Sequence, residues 1–353
     1  VTRSDRKKDH IQYALSTGMP SWNSLDDIRF VHNSLPETSV SEIDVSVIIG
    51  GLSLSSPFII NAMTGGGGSE TEYINRSLAL AAAETGAAMA VGSQMGAVID
   101  EQERYTFETV RANYPNGRVF ANLGSELTPE HAVKAVEMLE ADALQIHLNV
   151  IQELVMPEGD RDFRGAVDRI QQTVQALDIP VIVKETGFGM SAENIKVLEH
   201  TGAAIVDVGG HGGTNFSRIE NQRREQHLSF FDEWGISTAS SIAEAASVRH
   251  TLSITGSGGI RNGVEAAKAI ALGADAAALA GTVLSALKSG GQKQAEAFLH
   301  QCMDELKMVM AATGASTISE LKRVPVVVEG RTKEWLTERG IDTTSYSRRM
   351  IDR

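Results

Sequence analysis

The feature that most constrains this chain is a rhythm repeated eight times between residues 57 and 279. Each repeat is a short apolar run that closes on glycine or small polar residues and then passes into a stretch of helical periodicity. The runs are residues 57–63, 87–91, 119–122, 143–147, 180–184, 204–208, 252–255 and 275–279. Runs this short and this apolar suit strands buried on both faces, and parallel strands need helical crossovers between them. Eight such units predict an α/β fold, a (β/α)8 TIM barrel. The alternative is an open doubly wound sheet. That fold would place a G-x-G-x-x-G after its first strand, and Gly65–Gly68 lacks the spacing.

The barrel is expected over residues 56–290. An N-terminal extension, 1–55, carries a basic arm, and a C-terminal helical extension covers 291–353. Residues 20–50 read as an irregular approach with short extended pieces. A first helix is expected over Glu70–Thr85, and another over Ala295–Thr313, with irregular chain from Trp335 onward. A polar segment at 214–234, between the sixth and seventh strands, is long enough to be a lid or a surface excursion.

Composition narrows the function classes. The 353 residues are 42% hydrophobic, ample for one large core, yet no eighteen-residue apolar run suggests a membrane span. The first ten residues are polar and charged, so no signal peptide is expected. The single cysteine, Cys302, excludes an internal disulfide and fits a reducing cytoplasm. Cys302 lies in a helical stretch and reads as packing. A net charge of −13 argues against nucleic-acid binding, so an anionic substrate would need a local basic cluster. The run Arg3, Arg6, Lys7, Lys8 and His10 is one, either as a solvated tail or as an arm that grips phosphate.

Barrel enzymes keep their chemistry at the C-terminal ends of the strands. The fourth run ends in Leu144-Gln-Ile-His147-Leu-Asn149-Val-Ile-Gln152-Glu153. Strand alternation puts His147 and Asn149 on one face, with Gln152 and Glu153 one short turn later. An amide beside a carboxylate suits a site where the amide holds or relays to a substrate. The carboxylate then holds a metal bound to the substrate's phosphates. The seventh and eighth runs close on Gly258, Gly259, Ala280 and Gly281, small residues that let backbone N–H groups face an anion. Lys184 projects from the fifth run, and Thr64, Ser93, Asn122 and Thr214 are neutral hydrogen-bonding groups on four others. Such a rim suits a flat heterocycle, and a lysine near its pyrimidine edge suits reduced FMN. A Schiff-base lysine, a general base or a plain ion pair are the other readings of Lys184.

These residues together resemble the type 2 isopentenyl-diphosphate isomerases, a flavin-dependent family. The resemblance rests on Arg6-Lys-Lys-Asp-His10, Phe30-Val-His32, Asn61-Ala-Met-Thr-Gly-Gly66, Val91-Gly-Ser-Gln94, Asn122-Leu-Gly124 and Gln145-Ile-His-Leu-Asn-Val-Ile-Gln-Glu153 with Pro157-Glu-Gly159. It extends through Val183-Lys-Glu185, Gly212-Gly-Thr-Asn-Phe216, Trp234-Gly-Ile236 and Gly256-Ser-Gly-Gly259. It implies interconversion of isopentenyl and dimethylallyl diphosphate, with reduced FMN as acid–base catalyst, NADPH as its reductant and Mg²⁺ on the diphosphate. It implies that Ala62, Met63, Thr64, Ser93, Asn122, Lys184, Thr214, Gly258, Gly259, Ala280 and Gly281 hold FMN. Arg6, Lys7, His10, Ser93 and Gln152 would bind the substrate, and Glu153 would bind Mg²⁺. His147 and Asn149 would stand beside Gln152 as catalytic residues. One departure is Met95, where many relatives carry Arg. A homo-oligomer, tetramer or octamer, is also implied.

Two rival flavin readings lack a needed residue. A 2-hydroxy-acid oxidase wants an arginine after its catalytic histidine, but His211 is followed by Gly-Gly-Thr214. An inosinate-type dehydrogenase wants a nucleophilic cysteine in an active-site loop, and Cys302 is far down a helix. A non-catalytic phosphate-binding barrel is the third rival.

Overall fold

A computed structural model of the chain describes residues 22–63 and 67–350. Eight parallel strands close into a barrel: β1 (Phe58–Ile60), β2 (Ala88–Ala90), β3 (Val119–Gly124), β4 (Ala143–Leu148), β5 (Val181–Glu185), β6 (Ile205–Asp207), β7 (Ser253–Gly256) and β8 (Ala276–Leu279). They follow one another around the ring in chain order, and β8 pairs with β1 to close it. Each expected run contains or overlaps its strand to within three residues at either end.

The crossovers carry α1 (Gly68–Thr85), α2 (Tyr105–Asn113), α3 (Pro129–Leu139), α4 (Val150–Val155), α5 (Ala166–Ala176), α6 (Ala192–His200), α7 (Phe216–Asn221), α8 (Thr238–Val248) and α9 (Gly263–Leu272). Helix α10 (Gly281–Thr313) follows β8, and α11 (Gly330–Glu338) lies near the C-terminus. Their starts have local causes. Thr128 caps α3 with Pro129 at its first turn, Ser191 caps α6, and Asn262 accepts the Glu265 N–H at 2.9 Å to open α9. Inside α10 the helix breaks at Gly290 and Gly291, where Gly291 has φ +70°.

Strand alternation sorts side chains into two cores. Outward residues such as Val181 and Val183 pack against the helices. Inward residues Ile59, Ala88, Ala90, Phe120, Ala143, Ile182, Ile205, Ala276 and Ala278 fill the barrel's N-terminal half.

Residues 20–50, expected as an irregular approach with short extended pieces, hold one such piece within residues 26–32 and, beyond the expectation, one arm of a hairpin. Ile28–Phe30 pairs antiparallel with Val326–Val328. A hairpin of Val47–Ile49 and Leu52–Leu54 turns at Gly50-Gly51 and plugs the barrel bottom. Ile49 and Leu54 join the inner core, and the Gly50 N–H donates to Ser253 Oγ at 2.9 Å. The expectation of irregular chain from Trp335 onward is corrected. Trp335 lies inside α11, and its Nε1 donates to Glu244 Oε1 of α8 at 2.7 Å, so α11 is helical and docked on the barrel.

Candidate active site

Above the apolar layer the inward side chains become polar: Asn61, Asn122, Gln145, Lys184, Asp207 and Ser257. Register sets Asn122 opposite Gln145 and Lys184 opposite both His147 and Asp207. Ser257 Oγ and Asn61 Nδ2 donate to the Asp207 carboxylate, the latter at 2.6 Å. Asn61 Oδ1 accepts from Gln145 Nε2 at 3.1 Å, and Gln145 Oε1 accepts from Asn122 Nδ2 at 2.9 Å. Asn122 Oδ1 then meets His147 Nδ1 at 2.9 Å. A continuous side-chain belt therefore crosses the barrel from β7 to β4. Burial demands this, because a polar group in the barrel interior costs free energy unless its hydrogen bonds are met.

The end of β4 passes through Asn149 into α4. Asn149 Nδ2 donates to Glu153 Oε1 at 2.8 Å, and the Asp160 N–H donates to Glu153 Oε2 at 2.8 Å. The Pro157-Glu-Gly159 turn folds back onto this helix so closely that a Cβ on Gly159 would stand 2.1 Å from the Glu153 carbonyl oxygen. Arg161 ties the turn down through the carbonyls of Glu153, Met156 and Gly159. Gln152 turns to another partner: its Nε2 donates to Glu220 Oε1 at 3.2 Å. Glu220 is fully buried on α7, and Arg223 bridges it to Glu158. The four polar residues of this strand end are thus divided. Asn149 orients Glu153, Gln152 faces Glu220, and His147 joins the belt.

Opposite lie the glycine loops. A Cβ on Gly258 or Gly259 would strike the carbonyl oxygens of Gly210 or Gly212 at 2.1 and 2.0 Å, so two loop backbones lie in direct contact. Both glycines have positive φ, +105° and +82°. Helix α10 begins at Gly281 with no side-chain cap, and the buried Thr282 Oγ1 has no hydrogen-bond partner among the described residues. Uncapped N–H groups beside an unpaired hydroxyl fit the phosphate of a nucleotide cofactor. Asn23, near the start of the described chain, donates to the Gly259 carbonyl at 2.9 Å and brings the N-terminal side to this cup.

Lys184 is half-buried and inward, its Nζ donating to the Glu185 carbonyl at 2.7 Å. Glu185 faces outward, where its carboxylate accepts the Gly187 and Phe188 N–H groups at 2.6 and 2.5 Å. Burial pushes its pKa up to about 7 against those bonds.

Among the expected site residues, Asn122 and His147 meet directly, as do Asn149 and Glu153. Ala62, Met63 and Ser93 line the ends of β1 and β2, half-buried, and the Thr214 carbonyl packs against Gly187. Thr64, Arg6, Lys7 and His10 lie outside the described residues. Met95 is buried in the outer core and offers nothing to a diphosphate. Cys302 is buried there too, its thiol pushed up to about 12 by burial, as a packing residue. Segment 214–234 is organised around Asp232, which accepts from Asn215, Ser217 and Asn221. Sequence reading assigns no role to Asn61, Gln145, Asp207, Ser257 or Glu220. A lone polar residue at the end of an apolar run is the signal that marks the first four.

No group of three or more His, Cys, Asp or Glu side chains among the described residues could hold a metal. A cation on Glu153 would therefore keep waters and take oxygens from a bound phosphate, which suits Mg²⁺.

The model of the FMN-dependent dehydrogenase family matches residues 121–327. An isopentenyl-diphosphate delta-isomerase of Bacillus pumilus is 55% identical over 347 residues, 98% of this chain and 98% of that protein. One from a Geobacillus species is 54% identical over 347 residues, covering 98% and 99%. Among solved structures, a mutant flavocytochrome b2 with pyruvate bound superposes with a TM-score of 0.68 at 18% identity, covering 92% of this chain and 84% of that one. Mandelate oxidase with (S)-2-phenylpropionate gives 0.63 at 16% identity, covering 92% and 98%. At those identities the two structures are similar in fold alone.

Proposed function

The chain belongs to the isopentenyl-diphosphate delta-isomerase family, and we propose that it interconverts isopentenyl and dimethylallyl diphosphate at the C-terminal mouth of its barrel. The observation that carries this reading is 55% identity over 98% of the chain. The reaction adds a proton to the terminal carbon of an unactivated double bond, which leaves a tertiary carbocation on the adjacent carbon, and then removes a proton from the CH2 on that carbon's other side. Such a cation must be kept from water and its diphosphate held still.

FMN would be held by Ala62, Met63, Thr64, Ser93, Asn122, Lys184 and Thr214, with its phosphate in the cup of Gly258, Gly259, Ala280 and Gly281. The unpaired Thr282 hydroxyl supports a phosphate there. Reduced FMN, when bound, would supply an electron-rich ring and an exchangeable proton, with NADPH as reductant. The Lys184 ammonium would stabilise negative charge beside it. Glu153, held by Asn149 and the Asp160 N–H, would ligate Mg²⁺ on the diphosphate. Arg6, Lys7, His10 and Ser93 would grip the same group. Gln152 would touch the hydrocarbon and orient or hand on the proton removed, its amide fixed by Glu220. His147 would stand beside it on the belt. A homo-oligomer, tetramer or octamer, is part of the reading, and light scattering of the purified protein tests it.

The test is an anaerobic assay of isopentenyl diphosphate with FMN, NADPH and Mg²⁺, omitting each in turn and reading dimethylallyl diphosphate by NMR. Product that requires all components is expected. No product from protein with reducible FMN bound would overturn the isomerase reading in favour of an oxidoreductase. Normal turnover by Gln152→Ala would remove that residue from the mechanism.

A further inference from the structure

We propose that Asp207, together with the Ala62 N–H, sets the tautomer of His147 through a relay of three side-chain amides, so that the neutral imidazole carries its proton on Nδ1 and keeps Nε2 as its basic nitrogen. Asp207 touches neither His147 nor its strand. It sits on β6, and the relay runs through Asn61 after β1, Gln145 on β4 and Asn122 on β3.

The argument is one of polarity. A carboxylate that faces the donors Ser257 Oγ, the Gly209 N–H and Asn61 can only accept. Asn61 must therefore turn its Nδ2 to Asp207, which leaves Oδ1 for Gln145. The Ala62 N–H, a group with no choice of polarity, donates to the same Oδ1 at 2.9 Å. Gln145 must then present Nε2 to Asn61 and Oε1 to Asn122. Asn122 must present Nδ2 to Gln145 and Oδ1 to His147. A carbonyl oxygen facing Nδ1 at 2.9 Å requires a proton on Nδ1. Each amide has one donating end and one accepting end, so the direction set at Asp207 passes along the whole belt.

Burial keeps the relay intact. Asp207, Asn61, Gln145 and Asn122 are each at most 3% exposed, which leaves almost no surface for water to replace a link. An inverted link would set two acceptors or two donors face to face, at the cost of a buried unmet group. Asp207 is thus a positioning residue. The tautomer follows from the hydrogen bonds alone, and its bearing on turnover rests on the isomerase reading. In that reading His147 meets substrate or cofactor as a proton acceptor at Nε2.

Replacing Asp207 by asparagine gives a sharp expectation. The new carbonyl can still accept from Ser257 and Gly209. The new Nδ2 then faces Asn61 and must donate. Inverting Asn61 would answer it but would set Asn61 Nδ2 against the Ala62 N–H, so the two donors compete, the belt divides between its two directions, and part of the His147 population is forced to carry its proton on Nε2.

The experiment uses the full chain labelled with ¹⁵N-histidine, at about pH 9 where an ordinary imidazole is neutral. The His147 resonances are identified as those lost in His147→Gln. The wild-type protein is expected to show a protonated Nδ1 and an unprotonated Nε2, and Asp207→Asn a mixture of the two tautomers. A wild-type Nε2–H tautomer, or an unchanged tautomer in Asp207→Asn, would overturn the proposal. Gln145→Met cuts the relay at similar volume, should Asp207→Asn fail to fold, and is expected to give a mixture of tautomers. An unmixed Nδ1–H form there would overturn the proposal as well. In kinetics, Asp207→Asn is expected to lose about two- to tenfold in kcat with KM little changed. An unchanged kcat would overturn the positioning role in turnover, whereas the NMR result judges the tautomer independently of any activity.

Discussion

The two ends of the barrel are built from the same strands and do opposite work. On β1, β3, β5 and β6 the inward side chain changes from Ile59, Phe120, Ile182 and Ile205 to Asn61, Asn122, Lys184 and Asp207 within two residues. On β4 it changes from Ala143 to Gln145. Two residues of strand are roughly 7 Å of rise. Over that distance the interior passes from dry packing plugged by a hairpin to a hydrogen-bonded belt. Stability and chemistry are therefore neighbours along one chain direction, and strand register keeps them apart.

The largest way to test that division is on β3. Phe120→Ala removes the ring that fills the lower barrel and is expected to cost about 3–5 kcal/mol. Asn122→Ala, on the same inward face, is expected to cost less, about 1–3 kcal/mol, because it leaves Gln145 Oε1 and His147 Nδ1 without this partner. Denaturant unfolding of both variants checks the order. Equal losses, or the reverse order, would break the division.

The outer face of β5 sharpens it. Glu185 is a neighbour of inward Lys184 yet lies buried, with its pKa raised from 4.5 to about 7. Below about pH 4.5 folded and unfolded chains both hold the proton, and there is no penalty. As pH rises towards 7 the unfolded chain releases it first, so the folded state binds more protons and loses stability. Above 7 the loss levels off, at a total on the order of 3 kcal/mol. Glu185→Gln keeps an acceptor for Gly187 and Phe188 and is expected to flatten this slope. Unfolding free energies measured at pH 5 and 7.5 give the answer. A slope that survives in the variant would assign it to another group.

The eight strands were legible in sequence because each is short, apolar and closed by small residues. The gathering of His147, Asn149, Gln152 and Glu153 at one strand end was legible from strand alternation, but the Asn149–Glu153 bond was not, because 150–155 reads as polar loop and folds as helix α4. The belt was not, because its partners are remote in sequence: Asn61 and Asp207 are 146 residues apart, Asn61 and Gln145 84 apart. Each reads alone as one polar residue ending an apolar run, and only barrel closure makes them neighbours. Glu220 was hidden in the same way, 68 residues from Gln152 in a segment that reads as loop. The hairpin plug is different. Val47-Ile-Ile49, Gly50-Gly51 and Leu52-Ser-Leu54 carry a two-residue turn signal, and both glycines have positive φ, +51° and +84°. That signal was available in the sequence and outweighed by the irregular residues before it.

A smaller effect is expected at the mouth. Asn149 touches Glu153 and not, in this reading, the metal. Asn149→Ala should raise the Mg²⁺ concentration needed for half-activity by about 10- to 100-fold with little change in Tm, as loss of a ligand's orienting partner does. A Mg²⁺ titration of isomerisation measures it. An unchanged midpoint would detach Glu153 from the metal or Asn149 from Glu153's geometry.

The smallest effect tests the plug itself. Ile48 and Ile49 are adjacent in one hairpin strand, and alternation sends them to opposite faces: Ile48 is 68% exposed and Ile49 fully buried in the inner core. The same change, loss of one methylene, should therefore read differently at the two sites. Ile49→Val is expected to cost about 0.5–1.5 kcal/mol, as a core deletion does. Ile48→Val is expected to stay within about 0.5 kcal/mol of zero, as a surface change does. Thermal unfolding at several protein concentrations separates the two. A loss at Ile48 as large as that at Ile49, and dependent on concentration, would mean that a second copy of the chain covers the outer face of the plug. The closed bottom of the barrel would then belong to an assembly and not to a single chain.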